Sequence, residues 1–295
     1  MINTRSGSVA LFGLPNVGKS TLLNAMVGQK IAATSPKPQT TRRKARGVVT
    51  EGNTQLLLID IPGVLLPGDE LQKFMQRQVS EVLRSAEVVA LVIEARGSRS
   101  ELDHICKMLE QNRRVPQVVV ITKIDRLKTK GDLLPLMEEL DRRFPEAKIV
   151  PVSSKKDEGL THLFSVFADL MPEAPFGFDA DALTDESERT IVAELIREKC
   201  LLFLGQEVPY QLAVKIETFD ESKREDEKKP LVDITAVILT EKDRQKAIVI
   251  GNKGQKIKEI GTSARKDIEE LLGCKVMLRL VVKEDPLWIK TARAT

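Results

Sequence analysis

Gly13-Leu-Pro-Asn-Val-Gly-Lys-Ser20 is the stretch on which the fold turns. It matches G-x-x-x-x-G-K-[ST], a glycine-bearing loop that joins a strand to a helix and points its backbone N–H groups at phosphate. The flanks suit that reading: Ser8–Phe12 is a short apolar run of strand character, and Lys19–Val27 has helical spacing. Asn16, Val17 and Gly18 form the wall of the cradle. Lys19 supplies a point charge for the β- and γ-phosphate oxygens, and Ser20 offers a hydroxyl to Mg2+. Thr21 stands in the first helical turn, where the helix dipole favours anions.

Outward from this loop, short apolar runs alternate with helical stretches. The runs are Gln55–Ile59, Val88–Ile93, Val118–Ile121 and Lys148–Val152; the helical stretches are Leu71–Arg84, Glu101–Glu110, Leu133–Phe144 and Leu160–Asp169. This alternation predicts an α/β domain over residues 1–172, with a mostly parallel sheet and helices on both faces. Such sheets bind ligands beyond the carboxyl ends of their strands, and three further motifs fall there. Asp60-Ile-Pro-Gly63 follows one run: Asp60 is placed to hold a Mg2+ shell, and Gly63 can bring its N–H to a γ-phosphate. Thr122-Lys-Ile-Asp125 follows another. The Asp125 carboxylate can accept hydrogen bonds from N1–H and the N2 amine of guanine, a donor pair that adenine lacks. Leaving that carboxylate buried and unpaired makes the discrimination worth roughly 2–5 kcal/mol. Lys123 can lay its stem over the base, and Ser153-Ser154-Lys155 can add backbone contacts to the guanine oxygen.

Pro172 to Leu183 breaks the pattern with proline and glycine, and residues 173–183 are expected to be a linker. Residues 184–295 then read helix, strand, strand, helix, turn, helix, strand. Their strands are expected at Tyr210–Phe219, Leu231–Thr240 and Lys275–Lys283, and their helices at Glu186–Leu204, around Arg244–Ile250 and at Gln255–Leu272. The mixed-sign run Asp220–Lys229 is expected to be a solvated hairpin loop. Gly251-Asn-Lys-Gly254 lies between two helices, and its paired glycines let a sugar–phosphate backbone approach the turn. From Lys242 to Lys258 there are six basic residues against one acid. That local excess is the footprint of a nucleic-acid groove, assigned here to Arg244, Lys246, Gly251, Asn252, Lys253, Gly254, Lys256 and Lys258.

Composition narrows the classes. The chain has 295 residues, is 42% apolar and 30% charged, and carries a net charge of +3. Disordered and collagen-like chains are excluded, and the net charge alone does not argue for a polyanion partner. Aromatics are only 4%, so the cores must be aliphatic. The longest apolar runs fall far short of the ~20 residues of a membrane helix, and no secretory leader is read at the N-terminus. Cys106, Cys200 and Cys274 are odd in number and far apart, as for reduced thiols in a cytosolic protein.

The four nucleotide motifs together resemble the translation-factor-related P-loop GTPases. The whole chain, with Ser35-Pro-Lys-Pro-Gln-Thr-Thr-Arg42, Glu207-Val-Pro-Tyr-Gln-Leu-Ala-Val214 and Ile248–Lys258 besides those motifs, resembles the bacterial GTPases that end in a type II K-homology domain. The resemblance implies GTP and GDP as ligands, with Mg2+ held by Ser20, Thr41 and Asp60. Thr41 would be the switch threonine, ahead of Thr40, and Lys19, Thr41, Asp60 and Gly63 the catalytic set. It also implies binding near the 3′ end of 16S ribosomal RNA, a role in small-subunit assembly, and a cytoplasmic location with loose contact at the inner membrane face. A monomer is the default.

Two positions depart from common patterns. Val64 replaces the glutamine that often follows Asp-x-x-Gly and cannot orient a water, so slow turnover of order ~10⁻⁴ to 10⁻² s⁻¹ is expected. By the same resemblance, Asn16 would bind K+ beside the phosphates. Ile61 stands where threonine is usual and is expected to face the core. Two alternatives differ in class: an RNA-binding adaptor with nucleotide as a structural ligand, and a small-molecule phosphotransferase, which Asp125 and the RNA module disfavour.

Overall fold

The computed structural model describes residues 4–35, 44–63, 81–82, 85–98, 102–103, 105–107, 115–204 and 212–285. Its chain divides into two compact units, one of residues 1–32 and 41–185, the other of residues 33–40 and 186–295.

In the first unit, β1 (Arg5–Phe12), β2 (Ala45–Glu51), β3 (Thr54–Asp60), β4 (Val88–Glu94), β5 (Gln117–Thr122) and β6 (Lys148–Pro151) form one sheet, ordered β2-β3-β1-β4-β5-β6. All neighbours are parallel except β2 and β3. The described helices are α1 (Lys19–Val27), α2 (Leu134–Arg143) and α3 (Leu160–Leu170). The expected helices Leu71–Arg84 and Glu101–Glu110 lie largely outside the described residues. The near-continuous Val/Leu/Ile character of β4 and β5 follows from burial on both faces. Because β1 has β3 on one side and β4 on the other, the strand order reverses at its carboxyl end. Open α/β sheets bind ligands at such a reversal, and the Gly13–Ser20 loop leaves β1 there. Ile61 is fully buried, as its expected core orientation requires.

The segment expected to be a linker adheres to this unit. The buried Gln55 side chain accepts from the N–H groups of Gly177 and Phe178 and donates to the Phe178 carbonyl. Further on, Val48 N–H donates to Leu183 O at 2.8 Å, and Arg46 pairs with Asp185 at 2.7 Å. One polar side chain and the β2 edge therefore hold a proline- and glycine-bearing stretch in place.

The second unit runs α4 (Glu188–Phe203), β7 (Leu212–Lys223), β8 (Leu231–Thr240), α5 (Asp243–Ile250), α6 (Gln255–Leu272) and β9 (Lys275–Glu284). Its sheet order is β7-β8-β9, antiparallel between β7 and β8 and parallel between β8 and β9. β7 extends through part of the charge run before the chain turns, with a register irregularity between Asp220 and Lys223. Cys200, Leu212, Ile238, Val249, Ile260 and Val282 form the core of this unit. Three consecutive charged residues of α4 are also buried: Arg197, Glu198 and Lys199. Glu198 accepts from Thr34 N–H at 2.7 Å and from Lys199 Nζ at 3.0 Å, and Lys199 reaches Asp267 of α6 at 2.5 Å. Burial opposes the Lys199 charge, but Asp267 and Glu198 outweigh it and raise its pKa. Among the described residues, no helix is long and apolar enough to cross a membrane.

Candidate functional site

Every described nucleotide-motif residue stands at the carboxyl edge of the first sheet. Lys19 and Ser20 open α1 directly after the loop. Lys19 is buried, and its Nζ donates to the carbonyls of Gly13 (3.1 Å) and Leu14 (2.9 Å). Burial lowers its pKa, and Asp60 acts in the opposite sense. Asn16 sits in the left-handed region at φ 63°, a conformation asparagine tolerates better than most side chains.

Asp60 ends β3 fully buried, with its Oδ2 accepting from Ser20 Oγ at 2.5 Å. A hydroxyl and a carboxylate in contact are a hard-oxygen pair, suited to Mg2+ or its bound water. No group of three or more His, Cys, Asp or Glu residues able to hold a metal occurs among the described residues. Three residues on, Gly63 lies against the phosphate loop: a Cβ there would stand 2.6 Å from Pro15 N and 2.8 Å from Pro15 Cα. The absence of a side chain at Gly63 is thus a steric requirement.

The base motif follows β5. Thr122 is buried, and its Oγ1 reaches the carbonyls of Val17 (2.5 Å) and Ile93 (2.9 Å), tying this strand end to the phosphate loop. Lys123 Nζ donates to Asn16 O at 2.6 Å. Asp125 Oδ1 accepts from Ser153 Oγ at 2.7 Å, and this bond is the main reason its pKa lies below the usual carboxylate range. The carboxylate is therefore kept ionised and acceptor-only, the state that can receive two donors. Ser153 is buried after β6, Ser154 is half-buried and Lys155 exposed. Beyond the backbone contacts expected of Ser153, its hydroxyl orients Asp125. Thr40, Thr41 and Val64 lie outside the described residues.

In the second unit, the Gly251–Gly254 turn joins α5 to α6. Gly251 has φ 70° and Gly254 φ 76°. At Gly251 a Cβ would come within 2.5 Å of Lys256 Cβ, so this position is closed to any side chain. Asn252, Lys253, Arg244 and Lys258 are exposed, whereas Lys246 and Lys256 are half-buried. Lys256 is engaged by Glu259 at 2.9 Å, which reduces its availability to phosphate. Ile248 is 42% exposed beside the turn, while Ile260 belongs to the core.

A phosphate-wrapping loop at the sheet's switch point, with an acid at the end of β3 and a base-reading motif after β5, defines a P-loop GTPase; the second unit adds a KH domain. Residues 8–123 match the family described as 50S ribosome-binding GTPase, and residues 207–288 match the KH domain family. GTPase Era of Pseudomonas aeruginosa (strain LESB58) is 42% identical over 292 residues, covering 99% of this chain and 93% of the relative. GTPase Era of Pseudomonas fluorescens (strain Pf0-1) is likewise 42% identical, with 99% and 95% covered. The chain belongs to the GTPase Era family and is a GTPase. Two solved Era structures are similar to it at 36% identity, each covering 97% of this chain and 95% of the other. One, in complex with MgGDPNP and nucleotides 1506–1542 of 16S ribosomal RNA, gives a TM-score of 0.88. The other, an Aquifex aeolicus Era variant bound to GDP and aluminium fluoride, gives 0.86.

Proposed function

We propose that this chain is a GTP-driven switch that binds the 3′ region of 16S ribosomal RNA through its KH domain and acts in small-subunit assembly in the cytoplasm. The observation that carries the nucleotide half is the convergence of Lys19, Ser20 and Asp60 with Thr122, Lys123, Asp125 and Ser153 on one sheet edge. In this reading Asn16, Val17, Gly18, Lys19, Ser20 and Thr21 cradle the phosphates. Ser20, Asp60 and Thr41 hold Mg2+, which neutralises charge on the β- and γ-phosphates. Gly63 N–H meets the γ-phosphate. Asp125 reads guanine, Lys123 covers the base, and Ser153, Ser154 and Lys155 close the base pocket. K+ at Asn16 would add charge beside the phosphates; equal hydrolysis rates in Na+ and K+ buffers would exclude it.

The RNA half rests on the exposed turn at Gly251–Gly254 and the basic residues around it, together with the RNA-bound relative. Residues 1–172 serve as the GTPase module and 184–295 as the RNA module, with 173–183 between them. The testing experiment is the double substitution Asn252→Asp and Lys253→Asp. RNA affinity for a 16S 3′-end oligonucleotide should fall at least tenfold with GTP affinity unchanged. Unaltered RNA binding would place the groove elsewhere.

A further inference from the structure

Glu94 belongs to none of the four nucleotide motifs, yet it braces the one that selects the base. It is the last residue of β4, at the same carboxyl edge as Thr122. Its two carboxylate oxygens are used separately: Oε2 accepts from Lys123 Nζ at 2.5 Å, and Oε1 accepts from Arg126 Nη1 at 2.9 Å. Lys123 and Arg126 bracket the short turn that carries Asp125. The Glu94 and Lys123 side chains are only 22% and 24% exposed, so solvent screens their contact less than it would a surface pair. Arg126, at 59%, is the looser arm.

The backbone here needs holding. Lys123 sits at φ 58°, a left-handed conformation disfavoured for a residue with a Cβ. Its ammonium is stretched between Glu94 and the Asn16 carbonyl of the phosphate loop. The adjacent Ala95 N–H donates to Thr122 O at 3.0 Å, which joins the two strand ends in register. Without the carboxylate, Lys123 keeps only a neutral acceptor and Arg126 keeps no partner on β4, so the turn bearing Asp125 is held from the β6 side alone, by Ser153 Oγ on Asp125 and by Ile124 N–H on Val152 O.

We infer that Glu94 is a positioning residue for guanine selection: its carboxylate fork fixes the Lys123 stem over the base and holds the turn that presents Asp125 to the guanine donor pair. This rests on the guanine-pocket reading above. The test uses the full chain with Glu94→Gln and two readouts: the dissociation rate of GDP, and the ratio of GTP to ITP affinity. Hypoxanthine lacks the N2 amine that Asp125 accepts, so the ratio reports Asp125 placement, whereas a general loss of stability weakens both nucleotides alike.

GDP dissociation should accelerate at least tenfold and the GTP/ITP ratio should fall at least fivefold. Values within twofold of the parent protein, or a faster off-rate with an unchanged ratio, would overturn the inference. Arg126→Ala removes only the exposed arm and should lower the ratio two- to fivefold; should Glu94→Gln fail to fold, this variant decides, and an unchanged ratio refutes the role. A parent protein that does not prefer GTP over ITP would instead defeat the guanine-pocket reading itself.

Discussion

Gly63→Ala is the sharpest single perturbation of the phosphate site. The added methyl would stand 2.6, 2.8 and 2.9 Å from Pro15 N, Cα and Cγ. Carbon contacts settle at about 3.5–4.0 Å, so the chains must part by roughly 0.7–1 Å. The opposing atoms are backbone and a proline ring, with no flexible side-chain end to swing aside. Overpacking of this kind costs about 1–3 kcal/mol. Its functional cost is larger: Lys19 is seated on the carbonyls of Gly13 and Leu14, on the same loop as Pro15, and a ~1 Å misplacement of a catalytic constellation can cost ~10²-fold.

Single-turnover hydrolysis at saturating protein should therefore slow by roughly one to two orders of magnitude. Gly52→Ala is the control. Gly52 adopts φ +59° with open space around its Cβ direction, so alanine there costs roughly 1–2 kcal/mol of backbone strain without touching the site. Hydrolysis by Gly63→Ala within threefold of the parent, or an equal loss in Gly52→Ala, would refute the steric argument.

Three further outcomes follow from the geometry. Asp125→Asn should move preference from guanosine toward xanthosine triphosphate, whose base offers an acceptor where guanine has its N2 amine; competition binding with the two nucleotides checks it, and an unchanged preference contradicts the assigned role. Ser153→Ala should raise the Asp125 pKa, because the lost hydrogen bond is its main depressing influence. A depressed carboxylate stabilises the fold above its unfolded pKa of about 3.9 and loses that contribution as pH falls through the folded value. The acid limb of the stability curve should thus shift to higher pH, with a matching rise of the Asp125 midpoint by carboxyl 13C NMR; an unmoved midpoint refutes the coupling. Glu198→Ala removes one of the two carboxylates on the buried Lys199 and the acceptor of Thr34 N–H, and should destabilise the second unit by about 1–3 kcal/mol in urea denaturation. The paired replacement of Glu198 and Lys199 by methionine should cost less, and a larger cost would contradict the buried-charge account.

Much of this architecture was legible because the chemistry constrains residue type at fixed spacing. A phosphate-wrapping loop needs glycines and a lysine, and parallel strands buried on both faces need aliphatic runs, so β1, β3 to β6 and the four motifs could be read directly. β2 was not foreseen. Its sequence, Ala45-Arg-Gly-Val-Val-Thr-Glu51, has too short an apolar run to mark a strand, and it is held by pairing to β3 along its whole length. The hold of Gln55 on Gly177 and Phe178, the hydroxyl of Ser153 on Asp125, and the Glu94 fork were invisible for a related reason. Each is a polar side chain whose partner lies 28 to 123 residues away along the chain, and spacing rules reach only a few residues. The polar side chains of the charge run after Phe219 predict a loop, yet β7 continues through part of it on backbone pairing to β8.

A GTP-driven switch requires that the guanine nucleotide in the first unit govern RNA binding by the second. Fluorescence anisotropy of a labelled 16S 3′-end oligonucleotide, titrated with protein loaded with a non-hydrolysable GTP analogue or with GDP, tests it most directly. The account predicts at least tenfold tighter binding in the triphosphate state. Equal affinities in the two states would contradict it.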